Sequence, residues 1–528
     1  MVCCAGTIIK NQSEIFHGAT LRNTSLTDFL LQRLQRPNDA ERPKLAMNRQ
    51  LYQVIRAAIL QQMLPVGLQL PSSRELAREL GMSRNTVMFA YEQLIAEGYL
   101  ETRPGAGSFI ADTTPSHVAE CANKKPSLKP VASVHPSLSQ RGQQVMAEVG
   151  VSEQQWGAFM PGVPDVSHFP TKIWSRLHNK VWRRGRIDLL TYSQAGGYLP
   201  LRSAIAEYLR LARSVNCSAE NVLITNGIHQ SIDLIAKLLG DAKDRAWVED
   251  PGYWGTRSVL RALDMQPIGI PVDEEGMNFA AQLDAPPGHA PKLIFVTPSH
   301  QYPTGVTMSL ARRRQLVQYA QAHGAWIIED DYDSEFRFGG RPLASLQGMD
   351  SQQRVLYTGT FSKTLFPGLR TGFLVVPPAL AEIFATALSE LYRGGHLFTQ
   401  AVLTDFMNEG HFASHVRRMR LLYGERRLRL QQAIEQQFGN RFAICGGEAG
   451  LHLALRLPDD CNDVQLSERA LQVGILARPL SGYYLSSTPL ASRQRGLMLG
   501  YAFVPEDEIA PMFAKLAQVI RTEIGDIP

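Results

Sequence analysis

Between residues 151 and 528, short apolar runs alternate with longer stretches in which apolar positions recur every three or four residues. The runs are NVLIT (221–225), AWVE (246–249), LIFV (293–296), WIIE (326–329), VLYT (355–358) and FLVV (373–376). Their length and lack of polar alternation predict strands buried on both faces. Amphipathic segments between them, such as HQSIDLIAKLLG, predict parallel α/β architecture. Residues 45–112 carry another pattern. Ser72-x-x-Glu75 opens a short helix with Leu76, Ala77 and Leu80 inward, and Gly81 supplies a left-handed stop. Ser83 then caps a second helix with Val87, Ala90, Tyr91, Leu94 and Ile95 on one face. Two short helices across a tight turn predict a helix-turn-helix, and YLETRP-GAG-SFIA predicts a hairpin behind it.

The remaining stretches lack such patterns. Residues 1–44 are polar, with at most one short helix over TDFLLQRLQ, and read as a partly disordered extension. Residues 113–150 carry four prolines and many serines and read as a linker. A chain of 528 residues exceeds one core, so several domains are expected.

Composition narrows the class. Hydrophobic residues make up 44% and charged residues 20%, as in soluble globular proteins. No apolar run approaches the ~20 residues of a membrane helix, and MVCCAGTIIKNQSEIF lacks a charged leader, so neither membrane nor secretion is expected. The six cysteines (3, 4, 121, 217, 445, 461) show no metal-ligand spacing. They predict no metal site, no disulfide framework and a cytoplasmic protein. The net charge of +5 is too small to specify a polyanionic partner. Within 45–111, six arginines against five acids leave +1 (6 − 5).

Candidate chemistry concentrates in GTFSKTLFPGLRTG (359–372). Lys363 stands among small, hydroxylated and apolar neighbours, where a buried lysine becomes an amine nucleophile toward an aldehyde. Such a lysine works with an anion site, an acid for a pyridine nitrogen and an aromatic face. Asn226-Gly227-Ile228-His229-Gln230 follows a strand and opens a helix, which favours an anion; Ser362 can add a hydroxyl and Arg370 a charge. Asp330 lies at a strand end, where α/β ligands bind. Tyr253 in EDPGYWG offers a stacking face, and Tyr332 a hydrogen bond to a phenolic oxygen. In the front domain Arg84, Asn85 and Thr86, behind Ser83, occupy the first turn of the second helix, where base edges and phosphates are met. Arg74 and, on the hairpin, Arg103 complete the candidate DNA contacts.

Residues 51–110 resemble the winged helix-turn-helix of GntR-type regulators across the whole domain, including P-S-S-R-E-L-A and the wing. Residues ~155–520 resemble the fold-type-I aminotransferase domain through TNGIHQSIDL, EDPGYW, PSHQYPTG, IIEDDYDSEFRF and GTFSKTLFPGLRTGF, in that order. The combination is similar to the MocR/GabR-type regulators of the GntR superfamily. The resemblance implies a multi-domain chain: 1–44 extension, 45–112 mainly α winged domain, 113–150 linker, and 151–528 an α/β pyridoxal phosphate-dependent transferase fold with a smaller C-terminal α/β subdomain. It implies a Schiff base between Lys363 and pyridoxal phosphate, Asp330 on the pyridine nitrogen, Tyr332 on the phenolic oxygen, and Ile228, His229, Ser362 and Arg370 at the phosphate.

It further implies a transcriptional regulator, a homodimer on a double-stranded DNA operator, sensing a small amine, an amino acid or pyridoxal phosphate itself, without physiological turnover. The alternative is an active aminotransferase with an accessory DNA-binding domain. Two departures stand out: Tyr302 replaces the usual asparagine before Pro-Thr-Gly, and Met498 replaces the late arginine that clamps a substrate carboxylate. Arg257 and Arg478 are the candidate substitutes for that clamp.

Overall fold

The computed structural model describes residues 23–34, 46–112, 138–147 and 154–525, apart from 62, 193–194, 284–285, 287 and 340–342. The chain divides into two compact units, residues 1–136 and 137–528.

In the first unit, α1 (Asn23–Leu34), α2 (Met47–Leu60), α3 (Ser73–Glu79) and α4 (Arg84–Ala96) precede a hairpin of β1 (Leu100–Arg103) and β2 (Gly107–Ile110). Ser72 Oγ accepts from Glu75 N at 3.2 Å, Gly81 turns the chain at φ +64°, and Ser83 Oγ accepts from Thr86 N at 3.2 Å. These are the start, stop and restart expected of a helix-turn-helix, and β1 pairs β2 from Leu100↔Ile110 to Arg103↔Gly107 as the wing. The extension contributes more than expected. Leu26 and Leu30 of α1 are buried with Leu51, Ile55, Leu76, Val87 and Leu94, so α1 belongs to the winged domain's core. Residues 1–22 and 35–44 of the extension lie outside the described residues. Because an N-cap is worth about 1 kcal/mol, Ser83→Ala should speed amide exchange along α4 in the full-length protein while exchange in the second unit stays unchanged.

The second unit opens with the helix Gln140–Ala147, capped by Ser139 Oγ on Gly142 N at 3.1 Å. This corrects the reading of 113–150 as linker throughout; residues 113–137 and 148–150 lie outside the described residues. Its large sheet comprises β3 (Val222–Thr225), β4 (Arg245–Asp250), β5 (Gln266–Asp273), β6 (Gly276–Met277), β7 (Leu293–Val296), β8 (Trp326–Asp331), β9 (Val355–Thr360) and β10 (Gly372–Val375). The order is β3-β10-β9-β8-β7-β4-β5-β6. The predicted runs form β3 at one edge and β10, β9, β8, β7 and β4 next to it. β10, however, lies antiparallel to both β3 and β9. Only residues 361–371 join β9 to β10, too few for the helical crossover that a parallel neighbour needs. That short return carries Lys363 and Arg370.

A smaller antiparallel sheet, β11 (Ile444–Cys445), β12 (His452–Arg456), β13 (Arg478–Pro479) and β14 (Gly496–Gly500), runs in the order β11-β12-β14-β13. Leu453, Leu455, Leu497 and Leu499 bury one of its faces against Leu430 of the helix His411–Phe438 and Phe513 of the helix Ile509–Ile524. Residues 157–162 cross this subdomain as a strap. Leu476 N donates to Ala158 O and Gly500 N to Phe159 O, both at 2.8 Å. Phe159 is fully buried at φ +63°, a conformation that costs about 1 kcal/mol or more outside glycine and persists because core and hydrogen bonds hold it. Among the described residues no helix is long and apolar enough to cross a membrane.

Candidate functional site

The site forms where strands of the large sheet end. β3 leads through Gly227 into the helix Ile228–Leu239. Gly227 sits at φ +105°, and a Cβ there would stand 3.6 Å from the Arg370 guanidinium. The N–H groups of Ile228 and His229 in the helix's first turn thus meet a cation and make an anion site, while those of Gln230 and Ser231 bond Gly227 O. Arg370 is presented by a left-handed turn at φ +46° after Pro367–Leu369. Ser362 is buried beside it on the same return, its N–H held by Thr360 Oγ1 at 3.1 Å. His229 Nε2 lies 2.9 Å from Tyr253 Oη; burial, helped by the Arg370 charge, pushes its pKa down and favours the neutral imidazole.

Asp330 lies on β8, and its Oδ1 is buried without a hydrogen-bond partner. Burial pushes this carboxyl up to about 8, reinforced by Asp331, Glu249 and Asp333 and opposed by Lys363. It lines one cavity with Ile228, Val248, Glu249 and Tyr253. Lys363 Nζ donates to Gly162 O at 2.7 Å. Burial pushes its pKa down, Asp333 and Asp330 pull it back up, and Arg370 pushes it down again. The net direction is toward the free amine, the nucleophilic form.

Tyr332 Oη stands 2.9 Å from His300 Nδ1, which is also 3.1 Å from Asp333 Oδ1. Tyr302 forms edge-on ring contacts with Tyr253, Tyr332, His452 and Tyr483, and its hydroxyl is 3.1 Å from that of Tyr483. Glu249, pushed up to about 7 by burial, accepts from Thr297 N and Oγ1 and from Gln301 Nε2. It thereby fixes the turn that carries His300 and Tyr302.

The eight residues read from the sequence, Lys363, Asp330, Tyr332, Tyr253, Ile228, His229, Ser362 and Arg370, are brought to these strand ends. The sequence reading missed Gly162, His300, Asp333 and Glu249. His300, Asp333 and Glu249 lay inside blocks already singled out, and a polar side chain next to a strand end was the available signal. Gly162 carried none, because its part is played by a backbone carbonyl 201 residues from Lys363. The two clamp candidates differ in place. Arg257 is buried on the helix Trp254–Ala262, with Nη1 donating to Tyr483 O at 3.0 Å. Arg478 Nη2 donates to Gln154 O at 3.1 Å and lies 3.6 Å from Met160 Sδ.

In the first unit Ser83, Arg84, Asn85 and Arg74 are exposed. Thr86 is half-buried, its hydroxyl 2.8 Å from that of Ser83. Arg103, the candidate contact on the hairpin, bonds Glu101 at 3.1 and 2.5 Å and lies over the Phe109 ring. Such an exposed pair is weak, about 0–1 kcal/mol, and yields readily to a stronger anion.

The donor set fits pyridoxal phosphate. The partnerless Asp330 oxygen can accept a pyridinium N–H, the Gly227 turn with Arg370 and Ser362 can take the phosphate, and Lys363 supplies the amine. Comparison with known proteins agrees. Residues 183–495 match the family model for class I and II aminotransferases, and residues 47–110 match that for bacterial regulatory proteins of the gntR family. The probable rhizopine catabolism regulatory protein MocR of Rhizobium meliloti is 40% identical over 465 residues, 88% of this chain and 91% of its own. The pyridoxine biosynthesis transcriptional regulator PdxR of Corynebacterium glutamicum is 31% identical over 474 residues, 89% and 95% of the two chains. Among solved structures, Pyrococcus horikoshii kynurenine aminotransferase, in complex with PMP, matches at TM-score 0.64 and 26% identity over 74% of this chain and 96% of its own. LysN, an α-aminoadipate aminotransferase of Thermus thermophilus complexed with N-(5'-phosphopyridoxyl)-L-leucine, matches at TM-score 0.65 and 25% identity over 73% and 98%.

Proposed function

Since the chain belongs to the MocR-type subfamily of GntR regulators, a winged helix-turn-helix joined to a class I and II aminotransferase domain, we propose that this DNA-binding, pyridoxal phosphate-dependent transcriptional regulator uses its second unit to sense an amine. When bound, the cofactor supplies an aldehyde that primary amines capture reversibly and a ring that absorbs visible light. The observation that carries the reading is the state of Lys363: a half-buried amine pushed toward its free form and able to donate to Gly162 O.

The chain's residues divide the work. The first turn of the helix Ile228–Leu239, Arg370 and Ser362 would hold the phosphate, and Asp330 would keep the pyridine nitrogen protonated. Tyr253 would cover the ring. Tyr332, oriented by His300 and Asp333, would bond the phenolic oxygen. Lys363 would supply the amine that holds the cofactor, and its Nζ can also donate to Gly162 O. Gly162 ends the strap that joins β14 to the residues before β13. An effector amine that competes for the cofactor would leave Nζ free to tie the strap to the large sheet, a contact through which an amine can bias the whole unit. The protein acts in the cytoplasm as a homodimer, its two winged domains reading two half-sites.

The test combines two readouts on the holoprotein. Candidate amines should shift the visible absorbance and, at the same concentrations, change operator affinity. Sustained conversion of amino donors and 2-oxo acids at ~1 s⁻¹ or more would instead mark an enzyme. At the DNA, Arg84→Ala should weaken operator binding by about 1–3 kcal/mol in a mobility-shift titration and leave the cofactor spectrum untouched; unaltered affinity would move the reading head elsewhere.

A further inference from the structure

β14 alternates in burial sense. Leu497 and Leu499 enter the core of the small subdomain, while Met498 leaves the opposite face and packs with Tyr302, Tyr483, Leu480 and Ala454. The slot of the missing clamp arginine therefore does face Tyr302 and the turn that Glu249 fixes, and a thioether fills it. Met498 can take no anion. Opposite it in register, however, stands Arg478 on β13. Directly paired residues of antiparallel strands project from the same face, with Cβ atoms about 5 Å apart. The arginine thus emerges one strand away from the emptied slot, on the same side of the sheet.

Its surroundings connect it to the site. Its Nη2 touches Gln154 O and Met160 Sδ, both uncharged, and among the described residues no carboxylate pairs with it. Met160 lies two residues before Gly162, the acceptor for Lys363. Its charge also reaches the joined phenols of Tyr302 and Tyr483, opposing the upward push of their burial. Arg257 is the weaker candidate, because it is buried on a helix of the large subdomain with Nη1 donating to Tyr483 O.

We propose that Arg478 binds the anionic end of the effector, so that the amine sensed is an amino acid or another amine carrying an oxyanion, held by a guanidinium transferred from β14 to its neighbour. The inference rests on the amine-sensing reading above. Tyr302 and Tyr483 border the anion and supply hydroxyl donors, and the amino end reaches toward the position of Lys363 Nζ.

The test titrates the holoprotein, by visible absorbance, with matched pairs: glycine and ethanolamine, alanine and alaninol, 4-aminobutyrate and 4-aminobutanol, with taurine as a sulfonate. Wild-type protein should prefer the oxyanion-bearing member. Arg478→Gln should weaken that member roughly 10- to 100-fold, the worth of a charge-assisted bond, and leave the neutral partner within about twofold. Arg478→Lys should fall between. The exchange Arg478→Met with Met498→Arg should recover affinity over Arg478→Met alone, since the guanidinium returns to the same face. Equal loss for both members, no loss for either, or a wild-type preference for the neutral amine overturns the assignment while leaving the sensor standing. Silence toward every amine, with a normal cofactor spectrum, removes the sensor reading and this proposal together.

Discussion

Lys363→Ala should give a folded protein in which borohydride no longer fixes pyridoxal phosphate to the chain. The side chain is half-buried, its charged form is disfavoured and among the described residues it makes no ion pair; the fold loses three methylenes and one bond to Gly162 O. That cost is a fraction of the stability of a unit with several separate cores. The chemical consequence is total, because no other amine is placed at that turn. The regulatory consequence follows. Couplings between sites usually amount to about 5- to 150-fold in affinity. In the variant, an amine should change operator affinity by a factor near one, while basal DNA binding persists. Retention of a borohydride-fixed cofactor would assign the amine to another lysine.

The second large effect concerns Asp330. Its carboxyl is pushed to about 8 in the folded apoprotein, against about 3.9 when unfolded. Between these values the folded state binds the extra proton, so stability must fall as pH rises from about 4 to about 8. At about 1.4 kcal/mol per pH unit, the loss approaches several kcal/mol at pH 8. Asp330→Asn removes this contribution. Denaturation of apoprotein should then show a shallower pH slope in the variant, with the two converging below pH 4. The slope from Glu249, pushed up to about 7, remains in both. Pyridoxal phosphate should flatten the wild-type slope, because the pyridinium N–H supplies the partner the carboxylate lacks. Parallel pH slopes for the two apoproteins would show that Asp330 is ionised and solvated in the fold.

Local signals were legible and long-range ones were not. The caps at Ser72 and Ser83 and the stop at Gly81 depend on neighbours within four residues, and the structure keeps all three. Strands such as Leu293–Val296 announced themselves because both faces are buried. β10 did not announce its direction, which is fixed by the length of the return before it. α1 looked peripheral because one short apolar helix in a polar stretch does not reveal the core that Leu26 and Leu30 enter. In the site, Lys363 and Asp330 stood in recognisable blocks. The significance of Arg478 depended on which residue faces it across β13 and β14, a pairing that periodicity along one strand cannot supply.

The trigger at residue 162 is a main-chain oxygen, which no exchange of side chain deletes. The clamp, in contrast, is one arginine whose station on the small sheet can shift between neighbouring strands. Descendants of such a chain could therefore change the molecule they answer to and still keep the way they answer, since the two properties reside in atoms that mutate independently.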